Sequence, residues 1–155
     1  MNKKSAGIIL YRFSNKLLEV LLVHPGGPFW AKKDKGVWSI PKGEFDEGEN
    51  ALEAAKREFE EELGSSVLSD AFIELAPVKS KSNKTVYCFA AKEDFNTDSV
   101  KSNLCSIEWP PRTGRRIEIP EVDRAEWFDI KTAKEKILPY QLPLVEEIEK
   151  RISDF

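Results

Sequence analysis

The stretch 50–63, Asn-Ala-Leu-Glu-Ala-Ala-Lys-Arg-Glu-Phe-Glu-Glu-Glu-Leu, consists almost wholly of strong helix formers, holds no glycine or proline, and is followed directly by Gly64. Such a run predicts one helix with Gly64 at its C′ position. On a wheel at about 100° per residue, Leu52, Ala55, Phe59 and Leu63 form one stripe. That stripe predicts a helix lying on a sheet, and the rest of the chain has to supply the sheet.

Residues 5–12 and 17–24 read as strands around a turn-forming segment at 12–16. A short strand is expected at 37–40, closed by Pro41-Lys42-Gly43, and a strand pair at 71–78 and 85–92 around a basic linker at 79–84. Residues 96–120 read as irregular, with a short strand at 125–128 after them. Leu142, Val145, Ile148 and Ile152 are spaced for the buried face of a final helix. No repeat or linker interrupts the pattern, so the expectation is a single domain over 1–155. Its class is α+β, a mixed sheet between helices in an α/β/α sandwich.

Composition narrows the chemistry. The chain has 155 residues, 41% hydrophobic and 33% charged, as folded globular proteins do. A net charge of −3 gives no general attraction to nucleic acid or to acidic membranes. A polyanionic ligand must therefore be captured locally. The single histidine, His24, excludes a His/Cys zinc cluster and reads as an ordinary residue at a strand end. Cys88 and Cys105 read as reduced residues. The apolar run at 6–11 is too short for a signal peptide or a membrane span, which points to the cytoplasm. Carboxylates are left as the chemical workforce.

Glu58, Glu61 and Glu62 stand at i, i+3 and i+4, so their carboxylates share the helix face beside the apolar stripe, while Glu60 points away. Like charges one turn apart destabilise a helix by a few tenths of a kcal/mol (about 0.2–0.5) per pair. A hard divalent cation reverses that sign, because Mg²⁺ takes oxygen ligands in a compact octahedral shell. Arg57 beside them has the fork to bind a carboxylate such as Glu53 or Glu49. Gly43 permits a main-chain carbonyl to approach a cation closely.

Written out, Gly43-x5-Glu49-x7-Arg57-Glu58-Phe59-Glu60-Glu61-Glu62-Leu63-Gly64 resembles the signature of the Nudix hydrolases. Ser65 departs from it, standing where a bulky aliphatic residue is expected, and Phe59 is larger than usual at its position. The resemblance implies the Nudix fold, a mixed curved sheet packed between helices. It implies that Glu58, Glu61 and Glu62, with the Gly43 carbonyl, hold Mg²⁺ or Mn²⁺. It makes Glu49 and Arg57 a structural ion pair, and the reaction a hydrolysis of nucleoside diphosphates linked to another moiety. Glu62 and Glu121 are the candidate general bases.

The segments 81–87 and 6–12 resemble the subgroup that cleaves diadenosine tetraphosphate. That resemblance marks Lys42, Lys81 and Lys84 for the phosphates and Tyr87 for a base, with Trp30 and Trp109 as rival stacking residues and Arg112, Arg115 and Arg116 as a rival phosphate site. The expected partner is a small nucleotide, with no membrane or nucleic acid, bound by a monomer or homodimer. The rival readings are a nucleoside triphosphate pyrophosphatase, a hydrolase of nucleotide sugars or capped RNA, and a non-catalytic nucleotide sensor.

Overall fold

A computed structural model describes residues 3–152. Strand β1 (Lys4–Ser14) and strand β2 (Leu17–Pro25) form a hairpin closed by Asn15 and Lys16. Both turn residues have positive φ, 51° and 68°, the two-residue geometry that matches the twist of the flanking strands. β1 is buried along most of its length because it is central. It pairs in parallel with β6 (Thr85–Lys92), and antiparallel with both β2 and β3 (Lys42–Glu44). A strand covered on both faces reads as a continuous apolar run, which Ala6-Gly7-Ile8-Ile9-Leu10-Tyr11 is.

The seven-stranded sheet has the path β4-β6-β1-β2-β9, with β4 at Ile73–Glu74 and β9 at Val122–Asp129. β5 (Val78–Lys79) also pairs with β6. The expected strand at 71–78 is thus two short strands: Pro77 lacks the amide proton a continuous ladder needs. The expected strand at 37–40 makes only isolated bridges, Val23 to Ser39 and Trp38 to Ile137. The buried Gln141 holds it instead, its Oε1 accepting from Ile40 N at 3.0 Å and its Nε2 donating to Ser39 Oγ at 3.0 Å. The segment expected to be irregular contains a hairpin, β7 (Leu104–Glu108) with β8 (Arg116–Pro120), which forms its own two-stranded sheet.

Helix α1 (Ala51–Leu63) begins at Asn50, whose side chain accepts from Glu53 N. It ends at Gly64, in the left-handed region at φ 81°. Ala54, Ala55, Phe59 and Leu63 pack on Ala6, Ile8 and Leu10 on one face of the sheet. Ala54 belongs to the buried face beyond the expected stripe, and Leu52 is only half-buried. Ile9, Tyr11 and Val20 face the opposite side, under α2 (Ile130–Lys136) and α3 (Leu142–Ile152). The layers are helix, mixed sheet, helix, which is the α+β architecture expected. No helix among the described residues is long and apolar enough to cross a membrane.

Candidate active site

The last two turns of α1 and the short strand β3 form the two walls of a cleft of about 470 Å³. Glu58, Glu61 and Glu62 come from the helix, Lys42, Gly43 and Glu44 from the strand. Ser5 on β1, Lys84 at the start of the β6 segment and Glu121 between β8 and β9 complete the lining. Residues separated by 116 positions thus share one polar hollow. A larger cavity of about 560 Å³, beside Tyr11, Phe13, Lys16, Lys92 and Ile152, holds none of these carboxylates.

The helix and strand approach so closely that a Cβ at Gly43 would fall 2.1 Å from the Glu58 carboxylate. A side chain there would push the Glu58 carboxylate aside. Register fixes the contact, since Gly43 stands opposite Ala6 in the β1–β3 ladder, one position from Ser5 and Glu44.

The three helix glutamates are not equivalent. Glu61 is exposed and Glu58 largely covered. Glu62 is buried, only 7% exposed. Its position beside the apolar stripe brings it under β3, so that wall covers it. Burial raises its pKa to about 8, with the charge of Lys42 opposing and those of Glu121 and Glu58 adding. Burial also raises the pKa of Glu58, helped by Glu61 and opposed by Arg57. Confined carboxylates of one charge, beside a glycine carbonyl, suit a hard divalent cation with oxygen ligands. Among the described residues, no three Asp, Glu, His or Cys side chains already converge into a metal shell.

Arg57 links the cleft to the loop that precedes the helix. Its Nη1 donates to Glu49, its Nη2 to Glu58 Oε1 at 3.3 Å, and its Nε lies 3.9 Å from Glu61. Glu49 also accepts from Asp46 N at 3.1 Å; that bond and the guanidinium hold its pKa down. Glu53, the other candidate partner, pairs with Lys56 instead.

Ser5 carried no signal in the sequence. Its hydroxyl is fully buried at the cleft wall without a hydrogen-bond partner. An unsatisfied buried hydroxyl costs about 1–3 kcal/mol, and an oxygen-rich ligand in the cleft could satisfy it. Glu44 went equally unnoticed; it lies 3.8 Å from Lys84 and 3.9 Å from Lys3.

Of the substrate-binding candidates, Lys42 and Lys84 line the cleft, whereas Lys81 lies in an exposed turn outside it. Tyr87 is half-buried, edge-on to Phe45 with centroids 6.1 Å apart. Trp30 lines an apolar pocket of about 240 Å³ with Val37, Ile40 and Leu138, and this pocket shares Lys42 and Glu62 with the cleft. Trp109, Arg112 and Arg115 lie at the far tip of the β7–β8 hairpin, and Arg116 is spent on Ser106. His24 stands one residue from the end of β2. It is fully buried, with Nδ1 3.0 Å from Asp123 Oδ1 and Nε2 2.7 Å from the Lys33 carbonyl.

A NUDIX domain profile matches residues 1–148 of the chain. Nudix hydrolase 7 of Arabidopsis thaliana is 31% identical over 114 residues, which cover 68% of this chain and 38% of that protein. The chain therefore spans well under half the length of that relative. The NUDIX domain of Shewanella oneidensis NrtR complexed with ADP ribose superposes with a TM-score of 0.67 at 17% identity, over 98% of this chain and 89% of that one. A Caenorhabditis elegans Ap4A hydrolase binary complex gives 0.66 at 23% identity, over 99% of both chains. At such identities these likenesses establish the fold.

Proposed function

Because the chain belongs to the NUDIX domain family, we propose that it hydrolyses a phosphoanhydride bond in a nucleoside diphosphate-linked substrate, specifically a dinucleoside polyphosphate such as diadenosine tetraphosphate. The observation that carries this reading is the single cleft holding Glu58, Glu61, Glu62 and Glu121 against Gly43, with Lys42 and Lys84 at its strand wall.

Glu58, Glu61, Glu62 and the Gly43 carbonyl are the residues that would hold Mg²⁺ or Mn²⁺. A divalent cation held there would supply neutralisation of the phosphate oxygens and would make the attacking water more acidic. Arg57, braced by Glu49, keeps Glu58 and Glu61 in place. Glu121 accepts the proton of the attacking water, and Glu62 is the alternative base. The water oxygen bonds to phosphorus, the bridging phosphorus–oxygen bond breaks, and two nucleotides leave. Lys42 and Lys84 meet the phosphate chain. The apolar pocket with Trp30 takes one base, a better placement than Tyr87 against Phe45 or Trp109 on the distant hairpin.

A second reading has support from one neighbour. The NrtR domain was solved with ADP ribose, so a nucleotide-binding module is the rival.

The test is a hydrolysis panel of diadenosine tetraphosphate, ATP, ADP-ribose and a nucleotide sugar, with and without Mg²⁺ and with Glu61→Gln as the blank. The expected result is metal-dependent cleavage of diadenosine tetraphosphate above the others, lost in the variant. Preference for another member overturns the substrate and keeps the hydrolase. Binding of ADP-ribose without turnover of any member favours the module.

A further inference from the structure

A strap of chain at residues 101–103 crosses the end of α1, although 37 positions separate Lys101 from the helix-ending Gly64. Gly64 makes room for it, since a Cβ there would meet the Lys101 carbonyl oxygen at 2.7 Å. Lys101 N donates to the Leu63 carbonyl at 3.0 Å, and Asn103 N donates to the Glu61 carbonyl at 2.9 Å. The strap thereby satisfies two of the carbonyls that a helix leaves unpaired at its C-terminus.

From the same residue the connection runs on to Glu121. The Asn103 carbonyl accepts from Glu121 N at 3.0 Å, and the Asn103 side-chain amide donates through Nδ2 to Glu121 Oε1 at 3.3 Å. Next to it, Ser102 Oγ accepts from Val122 N at 3.0 Å. Any residue except proline would make the two backbone bonds. The side-chain bond needs a short donor, and asparagine provides one that is uncharged.

Glu121 lines the same cleft as Glu58 and Glu62. A glutamate on a loop otherwise samples several rotamers, and immobilising such a side chain costs conformational entropy. A fixed amide donor offsets part of that cost in advance.

We propose that Asn103 is a positioning residue for catalysis, holding the Glu121 carboxylate in the cleft and tying it to the helical turn that carries Glu61 and Glu62. The inference rests on the hydrolase reading with Glu121 as the base. It assigns the strap the task of keeping that base in register with the helix carboxylates. It also gives Gly64 a role beyond ending the helix, because a side chain there would push the strap, and Asn103 with it, off the helix.

The experiment compares Asn103→Ala, Asn103→Asp, Glu121→Gln and the Asn103→Ala/Glu121→Gln double variant. It measures kcat and KM in saturating Mg²⁺ on whichever panel member the wild type cleaves best, with thermal melting alongside. Asn103→Ala is expected to lower kcat roughly tenfold to a hundredfold, the scale of a misplaced catalytic group, with KM unchanged. Asn103→Asp is expected to be worse, because it faces one carboxylate with another. The double variant is expected to be no slower than Glu121→Gln alone.

Wild-type kcat in Asn103→Ala, or full multiplication of the two losses in the double variant, overturns the inference. So does a loss that follows the melting temperature equally in the Ala and Asp variants. If Glu121→Gln keeps wild-type kcat, the base assignment and this inference fall while the hydrolase stands. A wild type that cleaves nothing overturns both. Should Asn103→Ala not fold, Asn103→Ser, with a shorter hydroxyl donor, takes its place in the cycle.

Discussion

The backbone of Gly43 lies against the Glu58 carboxylate so tightly that a methyl group on that glycine would overlap it at 2.1 Å. Strand β3 and helix α1 therefore meet as main chain against side-chain oxygen, with nothing between them.

Gly43→Ala should displace Glu58 and lower turnover by roughly a hundredfold, the scale set by a shift of about 1 Å in a catalytic group. Overpacking costs about 1–3 kcal/mol, so the protein should remain folded. Steady-state kinetics beside circular dichroism checks this; full activity would show that the strand yields without moving the carboxylate.

The buried Glu62 predicts a pH dependence of stability in metal-free protein. Its pKa is raised from 4.5 to about 8 in the folded state, so between those values the folded protein keeps a proton that the unfolded chain has released. The resulting stabilisation is complete below pH 4.5, declines as pH rises through the window, and is gone above about 8. At 1.36 kcal/mol per unit, the whole effect is on the order of 5 kcal/mol. Urea denaturation in EDTA at several pH values should show this slope in the wild type and a flatter one in Glu62→Gln. Equal slopes would place the carboxylate in water.

Phe59 is 1% exposed between Ala54, Ala55, Leu63 and the underside of the sheet. Phe59→Ala should cost about 3–5 kcal/mol, read as a lower denaturation midpoint. A variant as stable as the wild type would mean that this face of the helix is not packed.

Ser5 predicts a gain. Its hydroxyl is buried without a partner, and Ser5→Ala removes the unsatisfied group and little volume. Metal-free Ser5→Ala should be more stable by about 1 kcal/mol, seen as a higher melting temperature. A lower one would mean that the hydroxyl has found a partner in solution.

Much of the site could be read from the sequence because its key element is local. Composition, the i, i+3, i+4 glutamates and Gly64 all lie within fifteen residues, where helical periodicity is strongest. The β1–β2 hairpin was legible for the same reason, through its apolar runs and the turn composition around Asn15 and Lys16. What stayed hidden depends on distant partners. Glu62 is buried by β3, and His24 meets Asp123 99 positions further along the chain, contacts that no local window contains. Strands β7 and β8 escaped because none of their residues is fully buried, the inner face of β7 holding only the half-buried Cys105 and Ile107, and Pro110, Pro111 and Gly114 dominate the stretch between them. Helix α2 has seven residues, about two turns, too few for a periodic signal.

Among the described residues the β7–β8 hairpin forms its own two-stranded sheet, so its outer end takes no part in the ladder that holds Ala6 opposite Gly43. Lengthening or trimming residues 109–114 would change the reach of Arg112 without shifting that register. Sequence drift at residues 109–114 can therefore accumulate without disturbing the register that sets Gly43 against Glu58.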